Sequence, residues 1–385
     1  MNEKYVSKRL CPVCECQDGT KLIQLCYALF DDLEMSGNKI LVQCYSCGML
    51  YDDVEFSDNQ LQEYYRCNEH YAVSEAGGSG SDSNDNKARY DRIIELLEPC
   101  SNGVIIDFGC GQGGFVSRCL KYGLKAVGIE PSIKSRQSGY IAGLHAYESL
   151  DSFLKENPET KIQAIVFSHV LEHLINPIQV IKGFAKYAND ALVYIEVPDA
   201  GSYLSPKSVC WQEMYFEHLS HFQKKNLKEL ARRTGIEILK EGETPFSESQ
   251  KNIRCRYIVG RFVQKQKLEA IFVFPSSVYD SILQLPLDGV KDILKDDRPL
   301  ALWGISQYAM LLLGSCPELL CRIRRLFDAS SAKTGRKIKG ILIESSSNLD
   351  SLSEDHILLI PKSNYLSQMR SQLLLIDFQG QVIEV

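Results

Sequence analysis

A short apolar strand that runs directly into a glycine-rich turn constrains the fold of this chain more than any other feature. Residues 104–107, VIID, predict a buried strand that ends in an acid, Asp107. The residues that follow, FGCGQGG, place Gly109, Gly111 and Gly113 at alternate positions. Glycine lets the backbone approach a ligand where a β-carbon would collide. The pattern alone leaves open NAD, another nucleotide-like ligand, or a turn that serves only packing.

Strand and helix signals alternate after residue 90. Further strands are predicted at 125–130, 162–168 and 191–197, and helices at 89–97, 115–122, 132–142 and 177–188. Strands that alternate with helices predict a parallel sheet covered on both faces. The Gly/Ser/Asp/Asn-rich tract at 77–87 favours a mobile loop, and we expect it to be able to close as a lid over the ligand.

A second acid, Glu130, closes the strand predicted after the glycine turn. An acid at that place is positioned for hydrogen bonds to a ribose diol. The GxGxxG fingerprint of NAD sites is not matched, because Gln112 disturbs the spacing. The combination DxGxGxG, strand, Glu resembles the class I S-adenosylmethionine-dependent methyltransferases. That resemblance implies an α/β, Rossmann-like core with a mostly parallel seven-stranded sheet, a glycine turn that faces the amino-acid part of S-adenosylmethionine, and ribose binding by Glu130.

The resemblance continues into the later strands. Residues 165–177, IVFSHVLEHLINP, are similar to the fourth strand of the family and the turn beyond it, which implies that Ser168 and His169 lie beside the cofactor. Gln163 stands where the family often has an acid, so an acidic contact from that position is in doubt. The remaining predicted elements are a fifth strand at 191–199, a helix at 223–234 and two antiparallel strands at 236–239 and 252–263.

Two CxxC pairs near the amino terminus predict a metal site. Their members are Cys11, Cys14, Cys44 and Cys47. Two residues between thiols let both sulfurs turn toward one point, so two pairs supply the four ligands of a closed, structural zinc site. Gly48 suits the tight turn after the second pair. Unmetallated thiols, a redox dithiol and a catalytic zinc are the alternatives, and Cys16 is the candidate substitute ligand.

Composition sets broad limits on the protein. A length of 385 residues predicts two or three domains. Six of the fourteen cysteines fall within residues 11–47, and the start MNEKYVSKRLCPVC has no apolar signal segment, so a reducing cytoplasm fits better than secretion. A net charge of −6 gives no electrostatic reason to bind nucleic acid or an anionic membrane. We expect a cytoplasmic monomer or homodimer that acts on a small molecule.

An aromatic and histidine-rich segment at 200–222 interrupts the alternation of strands and helices. It carries Trp211, Tyr215, Phe216, Glu217, His218 and His221. Methyl transfer from a sulfonium needs a deprotonated acceptor, and histidine with a carboxylate provides a base near neutral pH. The spacing alone equally allows these residues to pack the edge of the sheet.

Four features together resemble the nucleotide-deoxysugar C-methyltransferases: the CxxC head, the class I core, the Tyr-x-Glu-His segment and a C-terminal α/β region. In that group the Tyr-x-Glu-His motif lines the sugar pocket and its histidine is the base, which implies these roles for Tyr215, Glu217 and His218. His173 falls where some members have a second pocket histidine, and Tyr65 is the nearest match to a pocket tyrosine after the zinc head. Two places depart from the group: residues 250–252, QKN, replace a Gly-Gly-Ser, and the stretch EYYRCNEHYAVS blurs a Tyr/Ser pattern.

A second α/β pattern begins after about residue 265. Strands are predicted at 300–304, 325–328, 339–344 and 357–361, with helices from 306 and at 364–373. This C-terminal Rossmann-like domain has no GxGxG turn, so no second cofactor is expected. In the related group it helps to hold the nucleotide of the substrate, which implies a role for Gly304 and Asp328; the alternative is a packing domain. The predicted domains are 1–72, which binds zinc, 73–264, which binds S-adenosylmethionine, and 265–385.

The expected reaction is methyl transfer to a carbon of a nucleotide-linked keto or deoxy sugar, in a surface-polysaccharide or secondary-metabolite pathway. A ketone would acidify the neighbouring carbon, His218 would take that proton, and Tyr215 or His173 would hydrogen-bond the enolate oxygen. O-methylation, or methylation of another small molecule, is the alternative. A non-catalytic S-adenosylmethionine-binding scaffold is disfavoured by the intact Asp107, Glu130 and His218.

Overall fold

The protein is described from a computed structural model, which covers residues 4–67, 84–98, 103–137, 146–204, 214–245, 254–263, 288–361, 363 and 365–385. The chain forms two compact units. The first comprises Met1–Leu22, Leu41–Glu213 and Glu217–Tyr279, and the second comprises Ile23–Ile40, Met214–Phe216 and Asp280–Val385. This grouping differs from the three predicted segments, and the predicted boundary at 264/265 borders residues outside the described ranges. None of the described helices is long and apolar enough to cross a membrane.

The amino-terminal region is a small sheet followed by a helix. Its strands are β1 (Lys4–Val6), β2 (Asp18–Cys26), β3 (Asn38–Cys44) and β4 (Leu50–Val54), and α1 (Asp58–Cys67) follows them. A short strand from much later in the chain, Ser220–His221, is β10 and completes the order β1-β2-β3-β4-β10. It runs antiparallel to β4, with Ser220 opposite Tyr51. This pairing fixes the end of the histidine-rich segment to the head.

The core sheet has the order β11-β12-β9-β8-β5-β6-β7 within the described residues. Its strands are β5 (Val104–Phe108), β6 (Ala126–Ile129), β7 (Ala146–Tyr147), β8 (Ile162–Ser168), β9 (Leu192–Pro198), β11 (Ile236–Pro245) and β12 (Arg254–Phe262). The first five are parallel, and β12 is antiparallel to both β9 and β11, as predicted. The carboxyl ends of β5, β6, β8 and β9 therefore meet at one edge, where ligands of open α/β sheets bind.

Helices accompany the parallel strands. They are α2 (Asn84–Leu97), α3 (Gly114–Lys121), α4 (Ile133–Gln137), α5 (Leu150–Glu156), α6 (Pro177–Ala185) and α7 (Lys224–Arg233), with 3-10 helices at Leu171–His173 and Ala200–Leu204. Ile93 of α2 and Phe115 of α3 pack against Val166 and Tyr194 of the sheet. The predicted loop at 77–87 is wrong for its last four residues, because α2 begins at Asn84 and already buries Asn86; residues 77–83 lie outside the described ranges. The predicted helix at 132–142 is described only as far as Gln137.

The second unit is built on a mostly parallel sheet of order β15-β16-β14-β13-β17-β18. Its elements are α8 (Asp288–Ile293), β13 (Leu300–Trp303), α9 (Gln307–Ser315), α10 (Pro317–Arg322), β14 (Ile323–Asp328), β15 (Lys337–Ile338), β16 (Ile341–Ser345), β17 (Ile357–Ile360), α11 (Leu366–Leu375) and β18 (Gln381–Glu384). Residues 23–40 join this unit: Gly314 of α9 meets the backbone of Cys26 so closely that a β-carbon would lie 2.3 Å from the Cys26 carbonyl oxygen.

Candidate active site

The glycine turn at the end of β5 has the backbone shape that its sequence predicted. Gly109, Gly111 and Gly113 have φ values of 75°, 52° and 78°, a region that side chains with a β-carbon rarely adopt. At Gly109 a β-carbon would also lie 2.6 Å from Cγ2 of Val170. The turn is therefore open to close approach by a ligand only because these positions are glycine.

Two buried acids lie at this turn. The Oε2 atom of Glu130 accepts a hydrogen bond from the Gly111 N–H at 2.9 Å, and Oε1 accepts one from the Ser132 N–H at 2.9 Å. Burial raises the pKa of Glu130, and these two N–H groups oppose that shift. Burial, aided by the charge of Glu130, raises the pKa of Asp107 to about 7, while Arg89 opposes the rise. Two buried carboxyl groups fit a ligand that supplies hydroxyl donors and positive charge, as S-adenosylmethionine does with its ribose, ammonium and sulfonium groups.

The Asp107 carboxyl makes stability depend on pH. Its pKa is 3.8 ordinarily and about 7 in the folded protein, so between these values the folded state keeps a proton that the unfolded chain has lost. Stability from this group therefore falls as pH rises through that window. We expect the free energy of unfolding of Asp107→Asn, relative to that of the wild type, to increase by roughly 2–3 kcal/mol when the pH is raised from 5 to 8. Urea unfolding without S-adenosylmethionine measures it. The exposed Asp151→Asn is the control, and an Asp107→Asn difference that is equal at both pH values would contradict the assignment.

The carboxyl end of β8 lies beside the end of β5 and carries two predicted cofactor contacts. Ser168 is half-buried, and its Oγ has no hydrogen-bond partner among the described residues. His169 adopts φ 55°, an unusual conformation for a non-glycine residue, and its N–H donates to the Glu196 carbonyl at 2.9 Å. Burial lowers the pKa of the His169 imidazole. Its Nδ1 lies 3.5 Å from Oε1 of Glu172, so this ring belongs to a buried polar layer under the sheet edge.

A second cluster gathers two tyrosines, two histidines and a carboxylate. The Tyr64 hydroxyl donates to Oε1 of Glu217 at 2.5 Å. The Tyr65 hydroxyl lies 3.0 Å from Nδ1 of His173. The rings of His173 and His218 meet edge to face with centres 4.8 Å apart. We call these five residues the acceptor cluster, and four of them are among the predicted pocket residues.

Electrostatics link the acceptor cluster to the glycine turn. Tyr65 is buried, and burial raises its pKa well above the ordinary value. The charges of Glu217, Glu172 and Glu130 raise it further. The pKa of Tyr65 in the acceptor cluster is therefore affected by Glu130, the carboxylate predicted to hold the cofactor ribose. Because its hydroxyl keeps its proton at neutral pH, Tyr65 can donate a hydrogen bond there.

Arg9 holds the backbone on both sides of the acceptor cluster. Its guanidinium donates to the Leu219 carbonyl at 2.6 Å and to Oγ of Ser220 at 3.0 Å. On the other side it donates to the carbonyls of Leu174, at 3.0 Å, and Ile175, at 2.8 Å. Burial lowers the pKa of Arg9 to about 10, so the group stays charged at neutral pH. It therefore fixes the backbone just after His173 and just after His218.

The His221 side chain contacts Tyr203 and Asp52 beside the amino-terminal sheet. Its Nδ1 lies 3.0 Å from the Tyr203 hydroxyl, and its Nε2 lies 3.6 Å from Oδ2 of Asp52. All three side chains are buried. This arrangement gives His221 a packing role that the spacing of the segment could not separate from that of His218.

Tyr215 and the rest of its predicted motif group with different units. Met214–Phe216 group with the second unit, where the carbonyls of Tyr215 and Phe216 accept hydrogen bonds from Nζ of Lys39 at 2.8 Å and 3.2 Å. Glu217 and His218 group with the first unit. Trp211 and residues 250–252 lie outside the described ranges.

The four cysteines of the two CxxC pairs converge. Sγ of Cys11 is 3.6 Å from Sγ of Cys47, and Sγ of Cys14 is 3.3 Å from Sγ of Cys44. All four sulfurs lie within 4.8 Å of one another, and none is in a disulfide. Four thiols at these distances fit the donor set of a tetrahedral zinc site. Cys16 is outside this group, with its Sγ 3.7 Å from the Asp18 carbonyl oxygen.

The second unit repeats the turn-and-acid arrangement of the first. Gly304 follows β13 with φ 96°, and Asp328 ends β14. The Asp328 carboxylate accepts from the Ile305 N–H at 2.7 Å and from the Ser330 N–H at 2.8 Å. Lys333 also reaches it, with Nζ 3.3 Å from Oδ2. The two predicted residues, Gly304 and Asp328, are thus brought together.

Sequence reasoning missed Tyr64 and Arg9. Tyr64 directly precedes the predicted pocket residue Tyr65 in the EYYR stretch, so the pair of tyrosines indicates either residue as the pocket tyrosine. Arg9 gave no such signal, because nothing local distinguishes a buried arginine from an exposed one.

Part of this chain is similar in sequence to known methyltransferases. Residues 84–241 match the family described as "Methyltransferase domain". An uncharacterized methyltransferase of Geobacillus kaustophilus (strain HTA426) is 27% identical over 103 residues, which are 26% of this chain and 47% of that protein, so this chain spans about half the length of that relative.

Two methyltransferases are among the solved structures that match part of this chain. One is a SAM dependent methyltransferase from Archaeoglobus fulgidus, at 18% identity and TM-score 0.36, covering 46% of this chain and 92% of that one. The other is the N-methyltransferase NodS from Bradyrhizobium japonicum WM9 in complex with S-adenosyl-L-homocysteine, at 13% identity and TM-score 0.40, covering 52% of this chain and 98% of that one. Residues 84–241, which hold the glycine turn, Glu130 and the strands β5 to β9 of the core sheet, therefore match a methyltransferase domain.

Proposed function

We propose that this protein transfers a methyl group from S-adenosylmethionine to a carbon atom of a nucleotide-linked keto sugar, as a cytoplasmic monomer or homodimer. The observation that carries the proposal is the acceptor cluster: two histidines, two tyrosines and a carboxylate near the edge of the sheet that carries the glycine turn. Such a set can remove a proton from an acceptor and hold the resulting oxyanion. The resemblance to the sugar C-methyltransferases supplies the substrate class.

S-adenosylmethionine would be held by Asp107, Glu130 and the glycine turn. It supplies an electrophilic methyl group that needs no further activation. The task of the protein is then to prepare the acceptor. His218 is buried and follows Glu217 directly, and we assign it as the base that takes the proton from the carbon beside the ketone. His173 is oriented by its contact with the Tyr65 hydroxyl, and we assign it the hydrogen bond to the enolate oxygen. Holding both reactants in line supplies much of the acceleration.

The nucleotide of the substrate is assigned to the turn around Gly304 and Asp328. Asp328 supports this assignment, because a carboxylate that ends a strand beside a glycine turn is positioned for hydrogen bonds to a ribose diol. The four-cysteine cluster is assigned one structural Zn²⁺, since a site with four thiolates leaves no open position for chemistry.

The test separates carbon from oxygen methylation. The protein is incubated in D₂O with a panel of 4-keto and non-keto sugar nucleotides, first without and then with S-adenosylmethionine. C-methylation predicts exchange of deuterium into the carbon beside the ketone before any methyl transfer, followed by a product in which one methyl group replaces one exchangeable hydrogen or deuterium on that carbon. Methylation without deuterium exchange would identify a sugar oxygen as the atom that receives the methyl group. Binding of S-adenosylmethionine without either reaction across the panel would favour the scaffold.

Glu130 provides a separate test of the cofactor site. Replacing it with glutamine keeps the shape but removes the charged acceptor, so we expect S-adenosylmethionine to bind about 5- to 150-fold more weakly, or about 1–3 kcal/mol. Isothermal titration calorimetry measures this directly. Glu148→Gln, on an exposed side chain of the same domain, is the matched control. An unchanged dissociation constant for Glu130→Gln would remove this residue from cofactor binding.

A further inference from the structure

We propose that Glu172, His173 and His218 bind a divalent transition-metal ion, and that the bound ion takes His218 out of proton transfer. The first half is independent of the proposed function. The second half rests on it, because it requires His218 to be the base. The four-cysteine cluster is a different site with a different donor set.

The three side chains converge on one point. One ring nitrogen of each histidine and one carboxylate oxygen of Glu172 all lie within 4.8 Å of one another. Glu172 and His218 are 1% and 5% exposed, so the site is largely shielded from water. The Leu219 N–H donates to the Glu172 carbonyl at 2.7 Å, which ties the backbone beside His218 to the 3-10 helix that carries the other two residues.

The ring geometry suits a shared ion. The two imidazoles are 4.8 Å apart between centres and inclined at 85°. With metal–nitrogen bonds of about 2.1 Å, two imidazoles on one ion have centres roughly 4.5–5.3 Å apart when the nitrogen–metal–nitrogen angle lies between about 90° and about 109°, whatever the inclination of the ring planes. A ligating histidine usually uses its other nitrogen for a hydrogen bond that orients the ring. The Tyr65 hydroxyl at Nδ1 is such a contact, and it assigns Nε2 of His173 to the ion.

The donor set indicates the kind of ion. Two imidazoles and one carboxylate are the protein ligands of several zinc enzymes and of non-haem Fe(II) sites. A hard ion such as Mg²⁺ prefers oxygen ligands. A buried carboxylate among the ligands also attracts a cation more strongly than two imidazoles alone would. We therefore expect Zn²⁺, Co²⁺ or Fe²⁺ to bind better than Mg²⁺.

A neighbouring group with metal-ligand side chains is already committed to other partners. His169, Glu196 and Cys255 also lie close together. However, the Glu196 carboxylate accepts from Arg92 at 2.8 Å and from the Tyr194 hydroxyl at 2.7 Å. The guanidinium supplies the positive charge that an ion would otherwise bring.

Binding is tested on the full chain with its cysteine cluster already loaded with zinc. Co²⁺ is added without S-adenosylmethionine or acceptor, and the visible spectrum is recorded. We expect one further Co²⁺ per chain, with weak ligand-field bands and no thiolate charge-transfer bands. Glu172→Gln and His173→Ala should each weaken binding at least about tenfold. His356→Ala, in the second unit, should bind as the wild type does. Circular dichroism verifies that each variant is folded.

Turnover is measured separately. In the wild type, Zn²⁺ should inhibit methyl transfer at the concentrations at which it competes with Co²⁺, and gel filtration into metal-free buffer should restore turnover. A spectrum that does not change on adding Co²⁺, or one that changes equally in Glu172→Gln and His173→Ala, would overturn the site. Stimulation by the ion would overturn the inhibitory role. A protein that holds zinc only at its cysteine cluster, binds Co²⁺ as described and methylates no acceptor would instead count against the proposed function alone.

Discussion

Replacing His218 with glutamine is expected to abolish methyl transfer, by at least about a thousandfold, while S-adenosylmethionine binds within about twofold of the wild type. The sulfonium needs no activation, so deprotonating the acceptor is the main chemical task of the protein. His218 is buried in the acceptor cluster, in ring contact with His173, whereas His221 is held by Tyr203. Turnover is measured by mass spectrometry of the product, and cofactor binding by calorimetry.

Deuterium exchange distinguishes a base from a packing residue. If His218 takes the proton, His218→Gln should lose exchange at the acceptor carbon together with methyl transfer, at an unchanged melting temperature. If His218 only holds its segment in place, the melting temperature should fall along with turnover. His356→Gln is the matched control and should keep all three properties. Wild-type turnover in His218→Gln would rule the residue out as the base and make His173 the next candidate.

Loss of the metal at the four-cysteine cluster is the second large expected effect. Cys14→Ser removes one of four converging thiols, and structural zinc sites contribute about 10–16 kcal/mol in small zinc-binding domains. We expect less than one zinc per chain and rapid amide exchange through β1–β4. Because Ser220–His221 pairs with β4, the histidine-rich segment should also loosen, and methyl transfer should fall with it. Elemental analysis and hydrogen-exchange mass spectrometry measure the two effects.

Cys16→Ser provides the matched control for the zinc site. Its Sγ lies outside the cluster, at the Asp18 carbonyl, so the variant should retain one zinc and wild-type amide protection. A fully folded wild-type protein without zinc, or a Cys14→Ser variant with undiminished protection of the head, would contradict the structural role of the metal.

The fold of the core was predictable because its signals are local. A short apolar strand, a glycine turn and a helix of period 3.6 each occupy a few consecutive residues. For that reason β8 was predicted at its observed bounds, Ile162–Ser168, and the strand at Val104 was predicted to within one residue. The start of α2 was not, because the polar run SDSNDN carries weak helix propensity and only the burial of the helix against the sheet extends it to Asn84.

The sequence by itself determined the residue types of the site: acids at Asp107 and Glu130, four paired thiols, and a Glu-His pair in an aromatic segment. Only the tertiary structure decided which of them meet. Tyr64 finds Glu217 across 153 residues of chain, and Arg9 reaches the Leu219 carbonyl across 210. It also grouped Tyr215 with one unit and Glu217 with the other. No local pattern encodes such contacts, because they depend on where several separate elements come to rest on a common sheet edge, and that position is fixed by the packing of the whole core.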